Sequence, residues 1–190
     1  WLHDLSLVHG DVSMENILVT RLEGSDELTI QLIDFGSATS RRFIPGSAKG
    51  GKEVYRAPEM ADVGFEYDGF LSDAFAYGVV VFCALFLGFP WQSTSAEGPC
   101  PSFEHFRMSD FATFSRRRRI PTGGVVADRI SFGATDVLEG LLALDPALRM
   151  TLGEAVWARE TSSRSSAWHL DWFGGVNLLG AANGDSFCGA

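Results

Sequence analysis

"VHGDVSMENILV", residues 8–19, decides how the rest of the chain is read. Asp11 and Asn16 stand five apart, behind a His-Gly pair and ahead of the apolar run Ile17, Leu18, Val19. Further on, "LTIQLIDF" (28–35) is a second stretch rich in β-branched and apolar residues. Gly24, Ser25 and Asp26 between the two supply turn residues. The pattern predicts a β-hairpin whose second strand ends at Asp34. Asp11 and Asn16 then share the loop entering the first strand, and Asp34 leaves the second strand beside them. Phosphoryl transfer from a nucleotide needs such a donor set. One carboxylate takes or orients the nucleophile's proton, and a second carboxylate with an amide oxygen holds Mg²⁺ against the phosphates.

Outside the hairpin, "WLHDLSLV" (1–8) reads as the end of a helix, and the polar, Gly/Ser-rich stretch 36–53 as a long loop without regular structure. A loop of that length in a compact domain is usually functional. "AFAYGVVVFCALFL" (74–87) is the longest apolar run; its 14 residues fall short of the ~20 needed to span a bilayer, so it predicts a buried core helix. Ser72 is the expected cap at its start, and the helix is expected to end near Gly88. "ATDVLEGLLAL" (134–144) places Val137, Leu138, Leu141, Leu142 and Leu144 on one helical face. Thr151 and Glu154 have the spacing of a capping box for a following helix. Trp91, Trp157, Trp168 and Trp172 read as packing residues, Cys83 as a core residue, and Arg116 to Arg119 as a solvated face. Residues 173–190 are Gly/Ala-rich without periodicity and read as a weakly ordered tail.

The 190 residues are enough for one domain, and 46% hydrophobic with 21% charged is ordinary globular composition. A net charge of -9 argues against general binding to nucleic acid or anionic membrane. Three dispersed cysteines, Cys83, Cys100 and Cys188, form neither a metal-ligand spacing nor a disulfide framework, so an intracellular, cytoplasmic setting is expected. The first residue is Trp rather than Met, so the chain reads as a piece of a longer product. Oligomeric state is not legible.

Five segments in order then resemble one family. "HGDVSMEN" resembles the H-R-D-x-x-x-x-N catalytic loop of eukaryotic protein kinases, and "IDFG" (33–36) their D-F-G. "GKEVYRAPE" (51–59) resembles their substrate-docking loop ending in A-P-E, and "SDAFAYGVVVF" (72–82) their central buried helix, with Asp73 as its N-terminal aspartate. "LDPALRMT" (144–151) resembles the late motif whose Arg, here Arg149, pairs with the A-P-E Glu, here Glu59. The resemblance implies a mainly α fold with a small β-hairpin (α+β), the C-terminal lobe of the kinase fold over residues 1–172. It implies ATP and Mg²⁺ as cofactors, a protein substrate phosphorylated on Ser or Thr, Asp11 as base, Asn16 and Asp34 as metal ligands, and Leu18 under the adenine. His9 would pack on Phe35, next to Gly36, as a structural residue. The loop after Asp11 lacks the Ala/Arg pattern of the tyrosine-specific branch.

The chain also departs from that pattern. Gly10 replaces the Arg that receives an activation-loop phosphate, so a phosphate on Ser37, Thr39, Ser40 or Ser47 would lack its usual partner. Ser13 replaces the Lys that reaches the transferring phosphate, which weakens transition-state stabilisation unless another cation substitutes. Lys52 stands where Ser/Thr kinases carry Thr; it is a candidate for that charge, though a solvated loop lysine is the favoured expectation. No Gly-rich loop or strand Lys precedes Trp1, so the isolated chain is expected to bind ATP weakly or not at all. Two alternatives stay open: a pseudokinase or truncated scaffold without turnover, and a small-molecule phosphotransferase of the aminoglycoside or choline type, which shares H-G-D and I-D-F but not the Glu59–Arg149 pair.

Overall fold

The structure is a computed structural model and describes residues 2–24, 26–46, 51–94, 100–159 and 164–170. The expected tail at 173–190, and with it Trp172 and Cys188, lies outside the described residues, as do Ser47 and Lys49. The predicted hairpin forms: β1 (Ile17–Arg21) pairs antiparallel with β2 (Leu28–Leu32), Ile17 opposite Leu32 and Arg21 opposite Leu28. Both faces leave apolar side chains open, Ile30 being 70% exposed.

The stretch 36–53 is not structureless. It holds a 3-10 turn at Phe35–Ser37, a bridge from Thr39 to Val8, and β3 (Phe43–Pro45), which pairs antiparallel with β4 (Glu66–Asp68). Arg42 secures β3 by donating to Asp68 at 2.6 Å and lying 4.4 Å over the Trp157 ring. Conversely, the expected helix end at residues 1–8 is only a 3-10 turn at His3–Leu5 within the described residues.

Helix α1 (Gly69–Phe86) is the central element. It starts four residues earlier than the Ser72 cap predicts, because Asp68 accepts the Phe70 N–H at 3.0 Å and caps it. Ser72 lies inside the first turn and donates to the Gly69 carbonyl. Leu87, in the left-handed conformation, closes the other end. The helix reaches 18 residues and is apolar enough to cross a membrane by composition, yet 83% of it is buried in the fold. Around it lie α2 (Pro101–Arg107), α3 (Phe111–Arg117), α4 (Phe132–Leu141) and the short α5 (Ala155–Arg159). The α4 face falls as its spacing predicts, with Val137, Leu138, Leu141 and Leu142 fully buried. Gly78 lets α4 approach α1: a Cβ there would sit 2.9 Å from the Leu141 Cβ.

Trp91 organises an aromatic cluster with Phe75, Phe103, Phe106 and Phe114, and its indole N–H donates to the Val54 carbonyl at 2.9 Å. Such ring pairs add about 0.5–1.5 kcal/mol each beyond burial. Trp157 is buried as expected, but Trp168 is 60% exposed, its ring 6.3 Å from that of Tyr77. The capping box is absent. Glu154 instead binds His3 and the Trp157 indole, and the Ala155 N–H goes to Asp4.

Candidate active site

Asp73, buried in the first turn of α1, carries the loop that holds Asp11. Its carboxylate accepts the His9 N–H at 2.7 Å and the Gly10 N–H at 3.0 Å. It also faces His3, which lies between Asp73 and Glu154. Burial opposes charge on His3, but its hydrogen bonds to the Asp73 and Glu154 carboxylates, with their negative charge, outweigh burial and raise its pKa to about 9. A charged imidazole therefore ties α1 to the loop before α5.

His9 continues the chain of contacts. Its Nδ1 accepts the Asp11 N–H at 3.2 Å, so the tautomer assigned by the network donates from Nε2 to the Ile33 carbonyl at 3.1 Å. Its ring packs 5.1 Å from Phe35. The catalytic-loop candidate and the second strand are thereby joined across 24 residues. A second tie is the Ile33 N–H bond to the Asn16 carbonyl at 2.9 Å.

Asp11 has two unlike oxygens. Oδ2 accepts from Asn16 Nδ2 at 3.1 Å and lies 3.6 Å from Lys52 Nζ. Oδ1 is buried and, among the described residues, has no hydrogen-bond partner. Buried polar atoms are nearly always paired, so this oxygen is left for a partner from outside the fold: water, an ion or a substrate group. Asn16 Nδ2 also donates to the Asp11 carbonyl at 2.8 Å, which leaves Asn16 Oδ1 as the atom available to a metal. Asp34 stands in left-handed backbone, φ 62°, with Oδ1 accepting the Gly36 N–H at 3.2 Å. Among the described residues no three His, Cys, Asp or Glu side chains converge as a metal cluster. Asn16 and Asp34 do fit Mg²⁺, a hard cation that takes one or two protein oxygens and keeps several waters.

Lys52 overturns the expectation of a solvated loop lysine. Its Nζ donates to the Ser13 hydroxyl at 2.8 Å and lies 3.7 Å from Glu15, with Ser13 fully buried beneath it. The Glu15 carboxyl is held below its ordinary range, first by its own backbone N–H and also by the Lys52 charge. Gly51, at φ +63°, permits this approach: a Cβ there would lie 3.1 Å from the Gly10 carbonyl and 3.5 Å from Asp11 Oδ1. Tyr55 closes the group, accepting the Met14 N–H, and burial pushes its phenol up to about 12. Gly10 also takes a positive φ, and a Cβ there would lie 2.8 Å from the Ser37 carbonyl. Leu18 sits on β1 opposite Gln31, 44% exposed. The arginine run is largely exposed, except Arg118, which donates to the Phe89 carbonyl.

Glu59 and Arg149 meet. The guanidinium grips both carboxylate oxygens, the second at 2.9 Å, and also donates to the Leu71 carbonyl at 2.9 Å. Sequence reasoning missed the roles of His3, Glu154, Gly51 and Tyr55; only the close spacing of Gly51 and Tyr55 to Lys52 offered a signal.

Comparison with known proteins agrees with these motifs. Residues 1–159 match the family described as protein kinase domain. The chain is 30% identical over 192 aligned residues to Serine/threonine-protein kinase SBK1 of Danio rerio, covering 98% of this chain and 45% of that protein. It is 33% identical to Serine/threonine-protein kinase SBK1 of Mus musculus over 78% of this chain and 34% of that protein. It is 24% identical to the probable serine/threonine-protein kinase RTK1 of Saccharomyces cerevisiae, over 82% of this chain and 24% of that protein. The chain thus spans less than half the length of these relatives. With the Asp11, Asn16 and Asp34 arrangement and the Glu59–Arg149 clamp, the matched 159 residues establish that the chain belongs to the protein kinase domain family.

Proposed function

We propose that the complete gene product transfers the γ-phosphoryl group of ATP to Ser or Thr of a protein substrate, and that residues 1–172 of this chain are the C-terminal lobe of that kinase. The observation that carries this reading is the buried Asp11 Oδ1, without a partner among the described residues, beside an oxygen fixed by Asn16. Asp11 would accept the proton of the substrate hydroxyl. Asn16 and Asp34 would hold Mg²⁺, which supplies neutralisation of phosphate charge when bound. Leu18 would lie under the adenine. The bonds from Asp73 and His9 keep the base in place before any substrate arrives, so little reorganisation is needed at the moment of transfer.

A second reading, a scaffold without turnover, is favoured by the loss of the usual cations at Gly10 and Ser13. The small-molecule reading is disfavoured by the Glu59–Arg149 clamp. The test is to incubate the complete gene product with radiolabelled ATP and Mg²⁺, in parallel with a generic protein substrate, an aminoglycoside and choline, then identify the labelled species and, in protein, the phosphorylated amino acid. Phosphoserine or phosphothreonine supports the proposal. Label on an aminoglycoside or choline alone, or no transfer at all, contradicts it.

A further inference from the structure

The loop position that holds a phosphate-directed lysine in the resembled motif is Ser13, yet a lysine ammonium still stands beside Asp11. It arrives from a different segment. Lys52, on the docking loop, reaches back across 39 residues of sequence to Ser13 Oγ at 2.8 Å and comes within 3.6 Å of Asp11 Oδ2. We propose that Lys52 is the catalytic cation of this site, contacting the transferring phosphoryl group from the docking loop, with the buried Ser13 hydroxyl as the peg that aims it. This inference rests on the phosphotransfer reading above.

Two alternatives are weaker. Lys52 as a structural ion pair is poorly motivated: the side chain is 40% exposed, and its carboxylate distances are 3.6 and 3.7 Å. Pairs of that kind contribute about 0–1 kcal/mol, which a neutral residue could replace. Arg56 is the weaker candidate for the cation, since its guanidinium donates to the Gly51 carbonyl at 3.0 Å, whereas the Lys52 ammonium lies 3.6 Å from Asp11 Oδ2. Lys52 has instead the combination a transfer site needs. A buried hydroxyl restrains it on one side, and its exposed side is open to a phosphate.

The chemistry follows from this proximity. The substrate hydroxyl oxygen forms the new bond to the γ-phosphorus while the bond from that phosphorus to the bridging oxygen of ADP breaks. The hydroxyl proton passes to Asp11, and ADP leaves with the electron pair. The reacting hydroxyl must lie against Asp11. An ammonium 3.6 Å from that carboxylate is therefore close enough to meet the negative charge on the phosphoryl oxygens as it is transferred. Placing the cation on the docking loop also makes the charge conditional on that loop being seated, so that the segment receiving the protein substrate completes the site.

The test uses the complete gene product and two independent readouts. In the first, Lys52→Met and Lys52→Arg are compared with the parent in steady-state kinetics. Lys52→Met should lower kcat by about 10²–10³-fold, the cost of removing one preorganised charge. The KM for ATP should stay within about threefold, and Lys52→Arg should recover at least about tenfold of the loss. In the second, the protein is treated with a biotinyl acyl phosphate of ATP and Mg²⁺. The amine of a lysine at the γ-phosphate attacks the acyl carbon, forming an amide and releasing ATP. Peptide mass spectrometry should find Lys52 acylated, with excess ATP suppressing the label. If the parent transfers phosphate but Lys52→Met turns over like the parent, or Lys52 escapes acylation, the proposal is overturned and the kinase reading stands. If the parent transfers nothing, the kinase reading fails and the labelling alone decides. ATP-suppressible acylation then supports Lys52 at the γ-phosphate, and no acylation overturns it.

Discussion

Asp34 shows how one residue answers two demands. Its φ of 62° belongs to the left-handed region, which Asn and Asp tolerate better than most residues. In the proposed function its carboxylate would supply the charge a divalent cation needs. Asp34→Asn separates the demands, since the amide keeps the backbone preference and loses the charge. The expected outcome for the complete gene product is an unchanged melting temperature and at least about a tenfold rise in the Mg²⁺ concentration for half-maximal transfer, read by metal titration. An unchanged metal requirement would remove Asp34 from the site. At this scale the placement of Asp11, Asn16, Asp34, Glu59 and Arg149 was legible, because each sits in a short pattern of fixed spacing. Lys52 was legible only as a candidate for the missing charge. Its partners Ser13 and Glu15 are remote in sequence, and a lone lysine in a loop gives no signal of which surface it will meet.

At the scale of elements, the α1–α4 contact depends on Gly78. Adding a methyl there places a carbon 2.9 Å from both the Leu141 Cβ and the Leu142 Cδ2. Alanine favours a helix over glycine by about 1 kcal/mol, whereas overpacking of a tight contact costs about 1–3 kcal/mol. The expected result for Gly78→Ala is a net loss of stability in urea denaturation; a gain would mean the helices are not held that closely. The face of α4 was readable from the period of its leucines. The start of α1 was not, because both Asp68 and Ser72 are capping residues and only the packed structure selects between them. The capping box at Thr151 and Glu154 failed for a tertiary reason: Glu154 is taken by His3, 151 residues earlier in the chain.

Across the whole molecule, two charged contacts join distant parts. The Glu59–Arg149 clamp fixes the docking loop to the segment after α4, and Arg149 is almost fully buried. Glu59→Ala strands that guanidinium and should cost roughly 3–5 kcal/mol, measured by chemical denaturation. The His3 triad makes stability depend on pH. Its folded pKa of about 9 lies above the ordinary histidine value of 6.5. The contribution is therefore complete below pH 6.5 and is lost as pH rises through 9, amounting to about 3 kcal/mol at 1.36 kcal/mol per unit. Denaturation midpoints should fall across that window, and His3→Gln should flatten the fall. A midpoint insensitive to pH between 6.5 and 9 would mean His3 is neutral in the fold. The clamp was legible because both members lie in recognised motifs; the triad was not, since only the folded chain brings residues 3, 73 and 154 together.

If Asp11 is the base of a phosphotransfer site, its removal must show in the single-turnover rate of the complete gene product with ATP, Mg²⁺ and a protein substrate, compared between the parent and Asp11→Asn. We expect the variant to bind nucleotide like the parent and to transfer phosphate about 10²–10⁴-fold more slowly. A variant that transfers phosphate at the parent's rate would contradict Asp11 as the base.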